Sequence, residues 1–177
     1  MLSYWFERLR PGVTLPLAVL IAFSAGTPAG IRDVLFALLL VAQFRLWDDL
    51  EDRERDRGTH PGRVLARAGR AWPFAAMCVA LGAVNLGLAA WFHGSPALLT
   101  LLVLHVAMAA YYAWRPPART KVSDLVLLAK YPAFVFVLAH GTQASPWFVC
   151  VGASAIYALA CAFEVWHDAA GPLRISS

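Results

Sequence analysis

Charge is scarce in this chain. Only 15% of its 177 residues are Asp, Glu, Lys or Arg, against 60% hydrophobic; soluble domains carry about a quarter charged. With a mean hydropathy of +0.60, this shortage excludes an ordinary soluble domain and points to a membrane protein. Cysteine is also scarce. Cys78, Cys150 and Cys161 each sit in an apolar run, and no Cys-x-x-Cys pair occurs. That excludes a disulfide framework or zinc site and leaves the three as small packing residues. Lysine is nearly absent, 2 against 13 Arg, which fits a GC-rich bacterial genome. The N-terminal stretch MLSYWFERLRPGV lacks the signs of a cleaved signal peptide: it holds Glu7, three aromatics before its first charge, and no small-x-small site. Internal repeats and low-complexity tracts are missing too. So is the alternation of a membrane barrel, and the spans are therefore helices, whose backbone groups pair internally in lipid.

What is present is a series of apolar runs. Six are read, at about 12–27, 31–47, 71–92, 96–114, 124–141 and 146–167, each near the roughly 20 residues that cross a bilayer. The chain is thus one transmembrane helical domain over 1–177, an all-α bundle of about six helices. Pro132 should kink the fifth. Three connections, GTPAGIRD, HGS and HGTQASP, are short and nearly uncharged; the others carry almost all the Arg and Lys. The positive-inside rule puts the basic connections and both termini in the cytoplasm, consistent with a multi-pass inner-membrane protein. The net charge of +4 is explained by this orientation, so it gives no case for nucleic acid.

One stretch stands apart. After the run Val34–Ala42, six acidic side chains crowd between Asp48 and Arg57. If the second helix continues, Asp49, Asp52 and Asp56 follow a 3-then-4 spacing. At about 100° per residue they share one face, with Arg45 one turn deeper and Asp48 flanking. Carboxylates so placed repel one another unless a cation joins them, and Mg²⁺ shared with phosphate is the natural one. The plainer alternative is a solvated helix end with Asp49–Arg53 and Glu51–Arg55 pairs.

The run DDLEDRERD, Asp48 to Asp56, resembles the first aspartate motif of the UbiA-type intramembrane prenyltransferases. Asp49, Asp52 and Asp56 match its aspartates, and Asp48 replaces its usual Asn. ERLRPGVTLPLAVLIAFSAG is similar to that family's first helix, HPGRVLARA to its basic loop after the motif, and YYAWRPPARTK to the Tyr-rich end of helix four and its loop. The likeness runs from about residue 4 to 170. The family has about nine helices, and this chain corresponds to the first two-thirds of that fold. The second aspartate motif is reduced here to Glu164 and Asp168 in FEVWHDAAGPLRISS.

The resemblance implies transfer of an isoprenoid chain from its diphosphate to a lipophilic or aromatic acceptor, with Mg²⁺. Asp49, Asp52 and Asp56 would be the catalytic acids. Metal ligands would come from Asp48, Asp49, Asp52, Asp56, Glu164 and Asp168, and diphosphate contacts from Arg57, Arg63, Arg115 and Lys121, with Arg119 nearby. Arg45, Tyr111, Lys130 and Tyr131 would line the substrate pocket; an intramembrane lysine is costly and should face a cavity or a partner. Its plainer role is a snorkelling side chain paired with an acid. His105, Asn85 and Gln43 are read as polar packing residues.

Two other classes compete. A diverged or truncated relative would bind a prenyl lipid without turnover and need a homo- or hetero-partner to complete the bundle. A CDP-alcohol phosphotransferase would need Asp-x-x-Asp-Gly, and Arg53 stands where that Gly belongs.

Overall fold

The computed structural model describes residues 2–9, 11–26, 29–115 and 121–170, with the side chains of all these except 121 and 167–170. Every regular element among them is helical: α1 Leu2–Arg8, α2 Pro11–Ala25, α3 Ile31–Glu51, α4 Arg53–Thr59, α5 Val64–Arg67, α6 Trp72–Trp114, α7 Lys121–Leu128, α8 Lys130–Ala139 and α9 Pro146–Ala170. Trp72–Trp114, Val122–Ala139 and Pro146–Trp166 are long and apolar enough to cross a membrane, so the chain is an all-α membrane protein.

A straight helix as long as α6, with 43 residues, would reach about 65 Å. It does not run straight. Gly94 has φ 82° and ψ −177°, a conformation a Cβ would strain. Beyond it the chain folds back, and a Cβ at Gly82 would lie 3.7 Å from His105 Nε2. The apolar runs at 71–92 and 96–114 are its two antiparallel limbs. The span read at 124–141 is broken at Ala129, between α7 and α8. Pro132 offers no N–H to the carbonyl of Leu128, where α7 ends, and its ring crowds that carbonyl.

α2 packs on α3, α8 and α9, and α8 also packs on α6 and α9. The core between them is rich in alanine, with Ala18, Ala22, Ala37, Ala89, Ala97 and Ala153 buried. Small residues let helices approach closely where lipid supplies no hydrophobic drive. The approach is close at Gly152 of α9, where a Cβ would come 2.8 Å from Ser24 Cβ of α2. A second, smaller core of Tyr4, Leu46, Leu65, Phe74 and Cys78 lies beneath α1 and α5.

The two ends of the bundle differ. At one end the three short connections meet: His93 Nδ1 bonds the His140 carbonyl, and Thr142 Oγ1 donates to the Ala25 carbonyl. There Asp33, at the start of α3, lies 3.7 Å from His93 Nε2 beside a cavity of about 250 Å³. Some 30 Å away, at the far end of α3, the acidic block meets most of the basic side chains. Exposed tryptophans mark both levels, with Trp91 and Trp147 near the first end and Trp72, Trp114 and Trp166 near the second, as in interfacial aromatic belts.

Candidate functional site

The acidic block stays helical. The Asp52 amide bonds the Asp48 carbonyl and the Asp56 amide bonds the Asp52 carbonyl, each at 2.9 Å, so the spacing carries across the junction of α3 and α4. The carboxylates nevertheless face different neighbours. Lys130 Nζ of α8 and the Tyr112 hydroxyl of α6 both donate to Asp48. Asp49 is turned to α1: it accepts from the Tyr4 hydroxyl at 2.8 Å and from Arg8 Nε at 2.6 Å, while Arg8 Nη2 takes its other oxygen. Asp52 meets Arg115 Nη2 at 2.5 Å, with Arg55 at 3.5 Å. Asp56 meets Arg63 at 2.6 Å, with the His60 ring at 3.7 Å.

The block therefore divides. Asp48 and Asp52, one turn apart, look toward α6 and α8. Asp49 and Asp56 look toward α1 and the loop before α5. Glu51 and Glu54 are peripheral, accepting from Trp47 Nε1 at 3.1 Å and from Arg57 Nη1 at 2.8 Å. Arg53 and Arg55, read from the sequence as partners of Asp49 and Glu51, turn elsewhere. Arg53 caps the carbonyls of Leu65 and Ala68, and Arg55 joins Asp52.

Around Asp48 and Asp52 the setting is partly dry. Lys130 is 3% exposed, a burial that a lone ammonium does not tolerate without a counter-charge. Arg115 also donates to the Glu51 carbonyl at 3.2 Å, and its guanidinium lies 5.2 Å from the centre of the Tyr112 ring. Below the charges runs a chain of aromatic faces. Tyr112 lies 5.5 Å from Trp47, Trp47 5.8 Å from Phe44, Phe44 5.1 Å from Phe134, and Phe134 5.9 Å from Tyr131. Deeper still, Asn85 donates to Gln43 at 2.8 Å, and Gln43 lies 2.7 Å from His105 Nε2. Asn85 also donates to the Leu39 carbonyl at 3.2 Å, and His105 Nδ1 lies 2.7 Å from the Leu101 carbonyl. Asn85 Oδ1 is enclosed without a partner, and the three side chains together pin α3 between the limbs of α6.

The remaining sequence candidates scatter. Tyr111 turns away and donates to the Ser123 carbonyl at 2.9 Å, tying α6 to α7. Tyr131 lies beneath Lys130, its ring centre 5.5 Å from Nζ. Arg45 is half-buried, and its Nε is enclosed with no hydrogen-bond partner. Arg57 is engaged by Glu54 at the surface. Glu164 is half-buried in the last turns of α9, a helix that packs on α2, α7 and α8. Arg119, and the side chains of Lys121 and Asp168, lie outside the described residues.

Tyr4, Arg8, Tyr112 and Trp47 enter the network without having been singled out as site residues. Tyr4 and Arg8 did leave a signal, an i, i+4 pair that puts both on one face of α1. Tyr112 left none beyond a Tyr-Tyr pair, because neighbours on a helix point about 100° apart and the sequence does not say which faces inward.

Among the described residues, no group of three or more His, Cys, Asp or Glu side chains is gathered as a metal cage. Asp48 and Asp52 nonetheless suit Mg²⁺ in its usual role. That ion takes one or two carboxylates and draws its remaining ligands from water and substrate phosphate. No family model, curated protein or solved structure matches the chain.

Proposed function

We propose that this protein is a membrane-embedded transferase that moves an isoprenoid chain from its diphosphate to a lipophilic or aromatic acceptor, as the UbiA-type resemblance implies. One observation carries the reading. Asp48 and Asp52 stand one turn apart at the end of α3, each held by a cation from elsewhere in the bundle, Lys130 of α8 and Arg115 just after α6, directly above a run of aromatic rings. Intramembrane charges are costly and mark sites of function. Here acids, bases and aromatics occur in the order that a diphosphate head and an apolar tail would need.

In this reading six spans, with α6 contributing two, put both termini and the acidic end in the cytoplasm at the inner membrane. Prenyl diphosphate reaches Asp48 and Asp52 from that side. Arg115 holds diphosphate oxygens with its planar fork and stays oriented through the Tyr112 face. Lys130 supplies a point charge from α8. Asp48 and Asp52 would hold Mg²⁺, which when bound offsets the charge on the departing diphosphate. As the bond from C1 to the diphosphate oxygen weakens, positive charge grows on the allyl group. The faces of Tyr112, Trp47, Phe44 and Tyr131 can stabilise that charge and keep water from it. The acceptor then forms the new bond to C1 and gives up a proton.

The test is binding and turnover by purified protein in lipid, with geranyl, farnesyl and longer diphosphates and a panel of aromatic acceptors. Mg²⁺-dependent binding lost in Asp52→Asn, with diphosphate release by the parent, is expected. A second reading has its own support. Each aspartate already has a side-chain cation, as suits a prenyl-lipid-binding relative that does no chemistry and completes its bundle with a homo- or hetero-partner. Tight binding without release across the whole panel would favour it.

A further inference from the structure

We infer that the acidic block works as two pairs, and that Asp49 is a positioning residue fastening α1 against the acidic end of α3, beside the Asp48 and Asp52 pair. The inference deepens the proposed transferase and rests on it only for what happens at Asp48 and Asp52. Motif matching alone would give Asp49 a ligand's place. Its surroundings assign it otherwise.

Asp49 is 6% exposed. Both of its oxygens are taken by α1, through Tyr4 and two nitrogens of Arg8. Tyr4, itself 1% exposed, packs on Leu46, Leu65 and Phe74 in the small core below α1. A carboxylate enclosed in this way has no open side for a metal or phosphate.

The fastening extends further. Glu7, one residue before Arg8, accepts from the Val64 amide at 3.0 Å and so satisfies an orphan N–H at the start of α5. Beside Val64, Arg63 holds Asp56 at 2.6 Å. Arg53 reaches the same segment through the carbonyls of Leu65 and Ala68. Asp49 and Asp56 thus join α1, α4 and α5 into one cap, with Arg63 as one of its ties. Asp48 and Asp52 face α6 and α8, away from it. Leu2 and Phe6 of α1 are 75% and 83% exposed, so the cap presents an apolar edge to the membrane interface.

A ligand and a fastener respond differently to apolar replacement. A buried ion pair can give way to well-packed hydrophobic residues of similar volume, whereas removing one partner alone strands a charge. A metal ligand tolerates neither. A charge swap is a poorer test, because Arg at position 49 would sit one turn from Arg45 and repel it.

The experiment uses the full chain in lipid and compares Asp49→Asn with the triple Tyr4→Phe, Arg8→Met, Asp49→Leu. The first readout is maleimide labelling of Leu65→Cys in a background whose three native cysteines are Ala; Leu65 is 4% exposed. Labelling should speed up by about tenfold in Asp49→Asn as α1 comes away, and return close to the parent rate in the triple. The second readout is Mg²⁺-dependent binding of farnesyl diphosphate, which should fall in Asp49→Asn and recover in the triple. Unchanged labelling in Asp49→Asn overturns the inference. So does a triple that regains slow labelling but not binding, because Asp49 would then be a ligand. If Asp48→Asn and Asp52→Asn bind like the parent, or the parent does not bind, the transferase reading fails instead, and the labelling alone decides the role of Asp49.

Discussion

Lys130 of α8 donates to the Asp48 carboxylate at the end of α3, and both are enclosed, with side chains 3% and 16% exposed. This pair joins two helices far apart in sequence at the point where the apolar core meets the charged end. Removing one member of such a pair strands the other, at a cost of about 3–5 kcal/mol. Lys130→Met should therefore destabilise the protein by about the lower figure, since Asp48 keeps the Tyr112 hydroxyl and some contact with solvent. Lys130→Met combined with Asp48→Leu should recover most of the loss. Thermal unfolding in lipid nanodiscs, comparing the single and double variants, checks this; equal stability of Lys130→Met and the parent would contradict it.

Arg115 ties three features together: the Asp52 carboxylate, the Glu51 carbonyl and the Tyr112 ring. Lysine offers charge without the planar fork and does not reproduce that geometry. Arg115→Lys should thus weaken diphosphate binding by about tenfold, a loss of roughly 1.4 kcal/mol. Arg57→Lys, at a surface pair with Glu54, should leave binding within about twofold, because exposed pairs contribute little. Titration of both variants with farnesyl diphosphate separates them.

Gly94, at φ 82°, is the turn on which the limbs of α6 fold back. Gly94→Ala should cost about 1–3 kcal/mol through the backbone alone, because φ 82° with ψ −177° is a region essentially only glycine adopts; the nearest atom to an added Cβ, Pro96 Cδ, lies at a comfortable 3.6 Å. Gly87→Ala, inside the first limb with nothing within 4 Å of an added Cβ, should be neutral or slightly stabilising. Comparing their unfolding temperatures checks the turn.

The segregation of charge makes its own forecast. Cysteines placed at Ser95 and Ser145 should label from the outer face, and those at Thr59 and Ser177 from the inner face only. Labelling of Thr59→Cys from outside would overturn the orientation.

Much of the helical organisation was legible in the sequence, because it rests on local signals. The apolar runs give the long helices, the short uncharged connection HGS gives the turn, and Pro132 gives a break, displaced to Ala129 because proline disturbs the carbonyl one turn before it. The site was legible only as a composition. The 3-then-4 spacing fixes which aspartates neighbour one another on a helix but not what each meets. That depends on how α3 is rotated by the packing of Phe36, Leu40 and Phe44. A turn of about 100°, one residue's worth, separates Asp48, facing Lys130, from Asp49, facing Arg8. The contribution of α1 was hidden for another reason. Arg8 read as an orienting charge beside a membrane span, and only its approach to a residue 41 positions later gives it a partner.

The central claim is that Asp48 and Asp52 face a prenyl diphosphate. The most direct measurement is Mg²⁺-dependent binding of farnesyl diphosphate to the purified protein in lipid, for the parent, Asp48→Asn, Asp52→Asn and Glu54→Gln. The account predicts binding by the parent that is lost without Mg²⁺, weakened by about tenfold or more in each aspartate variant, and unchanged in Glu54→Gln. Binding by Asp48→Asn and Asp52→Asn as tight as the parent's, or equal with and without Mg²⁺, would contradict it.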